Sequence, residues 1–261
     1  MTAQTPLDDL VVVKLGGTTL VAAEELLDTL AELCRRRAVL VVHGGGARLT
    51  EWLGRLGVES RFRDGLRVTD DAALEVALAV LRGVVNAELV GALSGRGIAA
   101  VGLCGADGSC VHGRRVPELG RVASVASVDR PFFEHLVAGG LTPVLAPLVT
   151  DEEGTICNVN ADDLASGVAA GLRARHLVLL TDADGVLDAH GRRIPMLGPA
   201  DAERLIAAGT IRGGMVPKVR GALAALAQPD AEAVIVDGNA PHALERALTD
   251  PAFGTRLVLV R

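Results

Sequence analysis

The sequence predicts an α/β protein: a three-layer sandwich in which helices cover both faces of a central, mostly parallel sheet. Short apolar runs rich in β-branched residues recur along the chain, and the longer segments between them carry apolar residues at helical spacing. Size agrees with this, because 261 residues, 49% of them hydrophobic, are enough to bury a large core, as one domain or two lobes.

In chain order the strand runs are LVVVKL (10–15), AVLVVH (38–43), IAAVGL (98–103), TPVLAP (142–147), HLVLLT (176–181), EAVIVD (232–237) and RLVLV (256–260). Helices are predicted over 23–36, 47–56, 70–93, 130–138, 161–172, 200–208, 215–227 and 241–248. Pro217 suits the first turn of its helix, where a missing N–H costs nothing. Two stretches break the rhythm, RFRDGLRVTD (61–70) and GADGSCVHGRRVPELGRVASV (105–125). Their Asp-Gly and Gly signals predict β-hairpins laid over one edge of the sheet. The strand pattern restarts after AGLRARH (170–176), which divides the chain into an N-terminal lobe, 1–172, and a C-terminal lobe, 173–261. Leu74, Leu78, Leu81, Val85, Leu89 and Leu93 give helix 70–93 more apolar surface than one face of a sheet needs. That surplus is either buried within the subunit or covered by a second copy.

Composition excludes several classes. A formal net charge of −6 offers no overall attraction to nucleic acid or to an anionic membrane. Cys34, Cys104, Cys110 and Cys157 form no Cys-x-x-Cys pair, so neither a zinc site nor a disulfide framework is expected, and reduced thiols fit a cytoplasmic protein. The opening MTAQTPLDDL lacks the basic start and apolar centre of an export signal, and no later run reads as long and apolar enough to span a bilayer. With four Phe, one Trp and no Tyr, the core is aliphatic.

In open α/β sheets ligands bind beyond the carboxyl ends of the strands. Three strands end in loops suited to a phosphate chain: Lys14-Leu15-Gly16-Gly17, His43-Gly44-Gly45-Gly46 and Thr181-Asp182-Ala183-Asp184-Gly185. Glycines there let backbone N–H groups approach an anion, and helix N-termini add a favourable dipole. Each loop alone is equally a tight strand-to-helix turn, but the lysine before one glycine pair and the triple glycine after another point to an anion together. Of the 26 Lys+Arg residues only Lys14 and Lys218 are lysine. Lys14 ends an apolar run, where a charge is costly without a ligand or counter-ion. Lys218, in RGGMVPKVR (212–220), leans back toward the start of its helix, where a terminal phosphate can meet it. A compact ammonium can follow a moving phosphoryl group, whereas arginine's rigid fork suits fixed bidentate partners.

No Gly-x-x-x-x-Gly-Lys-Ser/Thr pattern occurs, and no Gly-x-Gly-x-x-Gly follows the first strand. CNVNADD (157–163) places Asn158, Asn160 and Asp162 at alternate positions, either on one face of an extended segment or as N-caps of helix 161–172; Asp162 can also orient two lysines. Arg67 lies on a hairpin arm, where a guanidinium can hold a carboxylate with two parallel hydrogen bonds. His43 shapes the triple-glycine loop, and the other histidines show no ligand spacing. No Ser/His/Asp or Cys/His set stands out.

VVKLGGTTL, VVHGGG, FRDGLRVTD, ICNVNADDLASGVA, LLTDADGVLD and GGMVPKV, in this order over most of the chain, resemble the amino acid kinase superfamily and, within it, the N-acetylglutamate kinases. The resemblance implies the amino acid kinase fold and ATP-dependent phosphorylation of N-acetyl-L-glutamate in arginine biosynthesis. By that match Lys14 and Lys218 stabilise the transferring phosphoryl group and Asp162 holds them. Gly16, Gly17, Gly44 and Gly45 contact phosphate or substrate through the backbone, and Arg67, Asn158 and Asn160 line the acylamino-acid pocket. Thr181, Asp182, Gly214, Met215 and Lys218 hold ATP, which enters with Mg²⁺. No resident metal or prosthetic group is implied. A homodimer through helix 70–93 is expected, without the N-terminal helix that accompanies arginine inhibition in relatives. The rival is a related kinase acting on α-aminoadipate or glutamate attached to an acidic carrier protein, for which Arg114 and Arg115 can supply a basic rim. A non-catalytic amino-acid sensor on the same fold is a further alternative, against which Lys14, Asp162 and Lys218 are all present.

Overall fold

The structure is a computed structural model and describes residues 7–16, 24–63 and 65–259. Its centre is an eight-stranded sheet, in spatial order β12 (Met196–Leu197), β14 (Thr255–Val258), β13 (Glu232–Asp237), β11 (His176–Thr181), β1 (Val11–Leu15), β2 (Val39–His43), β8 (Thr142–Ala146) and β5 (Ala100–Cys104). From β13 to β5 every pairing is parallel; only β14 runs against β13. β1 is bordered by β2 on one side and β11 on the other, so the chain winds outward in both directions from that seam. Such a reversal opens a crevice at the carboxyl ends of the strands.

The two faces are read off the alternation within each strand. Val11, Val13 and Leu15 point into one core, with Val39, Val41, Val178 and Leu180. α1 (Glu24–Arg36), α2 (Gly46–Arg55), the long helix Asp71–Ser94 and α9 (Ala243–Thr249) cover it. Val12, Leu40, Val42, Leu177 and Leu179 point into the other, under α5 (Arg130–Ala138), α6 (Ala161–Leu172), α7 (Pro199–Ala207) and α8 (Met215–Ala224). Lys14 alternates with Val13 and Leu15, which puts it on the α6/α8 face.

The long helix comprises α3 (Asp71–Ala77), a π-helical stretch Leu78–Val85 and α4 (Asn86–Ser94). Asp70 caps its start by accepting from the Ala73 N–H. Contrary to the sequence expectation, this helix is long and apolar enough to cross a membrane by composition. Its leucines are used otherwise: Leu74, Leu81, Val85, Leu89 and Leu93 are buried in the core against β1, β2 and β8, and Leu78 packs partly buried beside them. The apolar surplus therefore goes into the subunit, and the outward face carries Ala72, Glu75, Ala79, Gly83, Ala87 and Gly91.

The first predicted hairpin is β3 (Arg61–Arg63) and β4 (Leu66–Val68). The second is wider than predicted. β6 (Val111–Arg115) and β7 (Ala123–Val128) pair antiparallel, and a further hairpin, β9 (Leu148–Thr150) with β10 (Ile156–Asn158), joins them in a four-stranded sheet. This sheet adjoins the end of edge strand β5, where the Gly105 N–H donates to the Leu148 carbonyl, and packs on α6. Gly167 and Gly171 of α6 permit the contact, because a Cβ on either would stand 2.6–2.7 Å from Val125 or Val128 of β7.

Candidate active site

Beyond the β1/β11 seam lies a cavity of about 760 Å³. It is lined by Lys14, Gly16, Gly44, Gly45, Arg67, Asn158, Asn160, Asp162, Thr181, Asp182, Gly214, Met215 and Lys218, which is every site residue expected from sequence except Gly17. Gly17 lies outside the described residues. Leu66, Leu119, Val122 and Phe62 add apolar wall.

At its floor the two lysines meet one carboxylate. Lys14 Nζ is 2.8 Å from Asp162 Oδ1, and Lys218 Nζ donates to Asp162 Oδ2 at 2.5 Å. The three come from the end of β1, the first turn of α6 and the first turn of α8. Helix N-termini at this point direct their positive dipoles at the same spot. Burial lowers the Lys14 pKa, and the neighbouring Lys218 charge adds to that, while Asp162 opposes it. For Asp162, burial alone would push the carboxyl up, but the two ammonium groups outweigh it and hold it below the ordinary carboxylate range. The trio of two ammonium groups and one carboxylate carries a surplus positive charge suited to an anion, with Asp182 near enough to Lys14 to temper it.

Gly16 sets the room for this group. A Cβ there would sit 2.4 Å from Lys14 Nζ and 2.6 Å from the Leu180 carbonyl oxygen. The lysine can move but the strand backbone cannot. Gly16→Ala is therefore expected to lower turnover by about tenfold or more by displacing Lys14, while Gly54→Ala, whose Cβ meets nothing within 4 Å, leaves it unchanged. Steady-state rates of the two variants check this.

Arg67 is already oriented. Its guanidinium donates to Ser60 Oγ, to Thr50 Oγ1 at 2.7 Å and to the Gly46 carbonyl at 3.1 Å, and it stacks 4.7 Å from the centre of the Phe62 ring. Asn158 donates to Thr69 Oγ1 at 3.3 Å. The two readings of the CNVNADD segment separate here: Asn160 is the N-cap, its Oδ1 accepting from the N–H groups of Asp162 (2.8 Å) and Asp163 (3.2 Å), whereas Asp162 serves the lysines. Thr181 donates to Asp182 Oδ1 at 3.1 Å. Arg114 and Arg115 do not line the cavity; Arg115 donates to the Gly120 carbonyl.

Sequence reasoning passed over Asp163 and Ser124, which also line the cavity. Burial pushes the Asp163 carboxyl up, and the adjacent Asp162 charge adds to this, against a hydrogen bond from the Val125 backbone. Its adjacency to Asp162 was the available signal. Among the described residues no group of three His, Cys, Asp or Glu side chains could hold a metal.

His43, fully buried at the end of β2, supports the glycine loop from beneath. Burial lowers its pKa to about 4. The unfolded chain therefore takes up a proton as pH falls through about 6.5 while the folded one does not. Stability is fully present above that pH and is lost progressively down to about 4. The loss from this one residue is expected to be about 3 kcal/mol; denaturant melts of the wild type and His43→Asn between pH 7 and 4 measure it as their difference in slope.

The sequence model of the amino acid kinase family matches residues 9–237. Acetylglutamate kinase of Methylobacterium nodulans is 41% identical over 95% of this chain and 88% of its own length. That of Rhodopseudomonas palustris strain BisB18 is 42% identical over 95% and 90%. In three dimensions the crystal structure of smu.665 from Streptococcus mutans superposes with a TM-score of 0.84 at 25% identity, covering 97% of this chain and 99% of that one. The chain belongs to the amino acid kinase family and, within it, to the acetylglutamate kinases.

Proposed function

We propose that the chain transfers the γ-phosphoryl group of MgATP to the γ-carboxylate of N-acetyl-L-glutamate, giving N-acetyl-L-glutamyl 5-phosphate for arginine biosynthesis. The observation that carries this reading is the Lys14–Asp162–Lys218 group on the floor of a cavity bordered by glycine loops.

The chemistry asks for little else. A γ-carboxylate is ionised at neutral pH, so the nucleophile needs no general base. A carboxylate oxygen forms a bond to the γ-phosphorus as the bond to the β,γ-bridging oxygen breaks, and ADP leaves with that electron pair. Catalysis is then alignment of two polyanions and neutralisation of charge on the group in transit. Lys14 and Lys218 supply that charge and Asp162 holds both ammonium groups in register. Gly16, Gly17, Gly44 and Gly45 supply the backbone contacts to phosphate or substrate; in the loop after β2 the donor is the Gly45 N–H, since the Gly44 N–H is given to the Leu15 carbonyl at 2.9 Å. Arg67, Asn158 and Asn160 bind the acylamino acid, and Thr181, Asp182, Gly214 and Met215 the nucleotide. Mg²⁺ arrives on the ATP phosphates, in keeping with its habit of binding through few carboxylates. Residues 1–172 carry the acceptor and 173–261 the nucleotide, on either side of the β1/β11 seam. The enzyme works in the cytoplasm, in keeping with four free thiols, as a homodimer joined along the small-residue face of helix Asp71–Ser94.

ADP release with MgATP, comparing N-acetyl-L-glutamate, L-glutamate and L-aspartate with hydroxylamine present to trap the acyl phosphate, tests the reading. Turnover with N-acetyl-L-glutamate alone is expected. Silence with all three in a protein that binds ATP would transfer the assignment to a carrier-linked acceptor.

A further inference from the structure

The loop Gly44–Gly46 is tied to the long helix by a chain of polar groups, buried at His43 and Asn86, that takes no part in the chemistry above. His43 Nδ1 lies 2.7 Å from the Gly44 carbonyl oxygen. A carbonyl only accepts, so Nδ1 carries the hydrogen. His43 is buried and neutral at working pH, so its Nε2 is an acceptor, and the group 3.0 Å away, Asn86 Nδ2, donates to it. The second hydrogen of that amide goes to the Val144 carbonyl at 2.9 Å. Asn86 Oδ1 in turn accepts from Arg82 Nη1 at 3.3 Å, and Arg82 Nη2 donates to the Gly102 carbonyl at 3.0 Å. Every donor and acceptor in the chain is assigned without conflict, which leaves one tautomer of His43 and one orientation of Asn86.

The setting is built for this contact. Asn86 is fully buried and stands directly after the π-helical stretch Leu78–Val85, a conformation that is rare and recurs at functional sites. At Gly102 on β5 a Cβ would lie 2.1 Å from Asn86 Oδ1, so the strand leaves space for the amide. Gly45 adopts φ +135°, and its Cβ would meet Leu81 of the π-helical stretch at 2.7 Å. The loop thus rests on the π-helical stretch at Gly45 and on His43 at Gly44.

We infer that Asn86 and His43 are positioning residues that orient the Gly44–Gly45 peptide toward the phosphoryl group in transit. In a trans peptide the C=O and N–H point in opposite directions. With the Gly44 carbonyl drawn inward to His43 Nδ1, the Gly45 N–H is turned outward to the cavity that both glycines line. Without that anchor the peptide can rotate and present its carbonyl, an acceptor, to an anion. The inference rests on the phosphotransfer reading for what the peptide meets, and on geometry for how it is held.

Two isosteric variants separate this role from simple filling of the core. In H43N the amide nitrogen falls near the place of Nδ1 and can still donate to Gly44; in H43Q it falls near Nε2, on the Asn86 side, and the Gly44 carbonyl is left without a donor. H43Q is expected to lose about tenfold or more in kcat with KM for N-acetyl-L-glutamate little changed, and H43N to recover most of that loss, although both disturb the core. Thermal melts monitor the disturbance. If kcat of the two variants falls together in proportion to their melting temperatures, or if H43Q keeps wild-type kcat, the inference is overturned. Should the wild type phosphorylate no acceptor, the acceptor reading fails and the inference is decided by binding instead. A wild-type and H43N preference for Mg-AMP-PNP over MgADP that H43Q has lost supports it, and an equal preference in all three sinks it.

Discussion

Replacing Lys14 by methionine is expected to lower kcat by about 10²- to 10³-fold while leaving stability unchanged or slightly raised. The two effects have one origin. Lys14 is buried, and its lowered pKa means that the charged form is less favourable in the fold than in water, so folding carries that cost at neutral pH. Methionine keeps the stem and removes the charge, and Asp162 retains Lys218 as its partner. Lys14→Arg should fail as well, because a longer planar fork puts its charge in a different place from a compact ammonium set beside Gly16 and 2.8 Å from Asp162 Oδ1. Initial rates with saturating MgATP and N-acetyl-L-glutamate, together with urea melts, provide the measurement. Wild-type turnover by Lys14→Met would remove Lys14 from the chemistry.

Removing Asp162 should have the opposite thermodynamic sign. In Asp162→Ala two ammonium groups face each other in a buried site with their shared counter-ion gone. A loss of about 3 kcal/mol of unfolding free energy is expected, in the range for breaking a buried ion pair from one side, along with nearly all turnover. The double variant Asp162→Ala/Lys14→Met relieves the repulsion and should recover much of the stability but none of the activity. Recovery of both would mean that Asp162 serves the fold alone. The depressed carboxyl pKa gives the pH sign: its stabilisation is present at neutral pH and is lost as pH falls below the ordinary carboxylate range and through the depressed value.

The strands and helices of the main sandwich were legible because each apolar run is flanked by a glycine loop or a polar cap, and both are local signals. The hairpin of β9 and β10 was not, since its strands are three residues each and carry no alternation long enough to register. Nor was the π-helical stretch, because the apolar spacing of residues 71–94 fits a continuous α-helix and the shifted hydrogen bonds leave no trace in composition. The same spacing suggested surplus apolar surface on this helix, and only the fold showed its leucines committed to the core beneath it.

By itself the sequence determined the chemistry available: two lysines among 24 arginines, placed beside glycines at a strand end and a helix start, and a set of motifs shared with one kinase family. It left open which residue of the CNVNADD segment caps the helix and which serves the lysines, because an amide and a carboxylate both accept from backbone N–H groups. That choice was decided only by tertiary structure. Asn160 stands at the N-cap with its oxygen on the N–H groups of Asp162 and Asp163, and two residues further on, Asp162 faces the seam between β1 and β11. Lys218 is 56 residues away in the chain from the carboxylate it pairs with. No local preference relates such positions; the parallel sheet does so by bringing the ends of β1, α6 and α8 to one place, where burial makes the charges interact strongly.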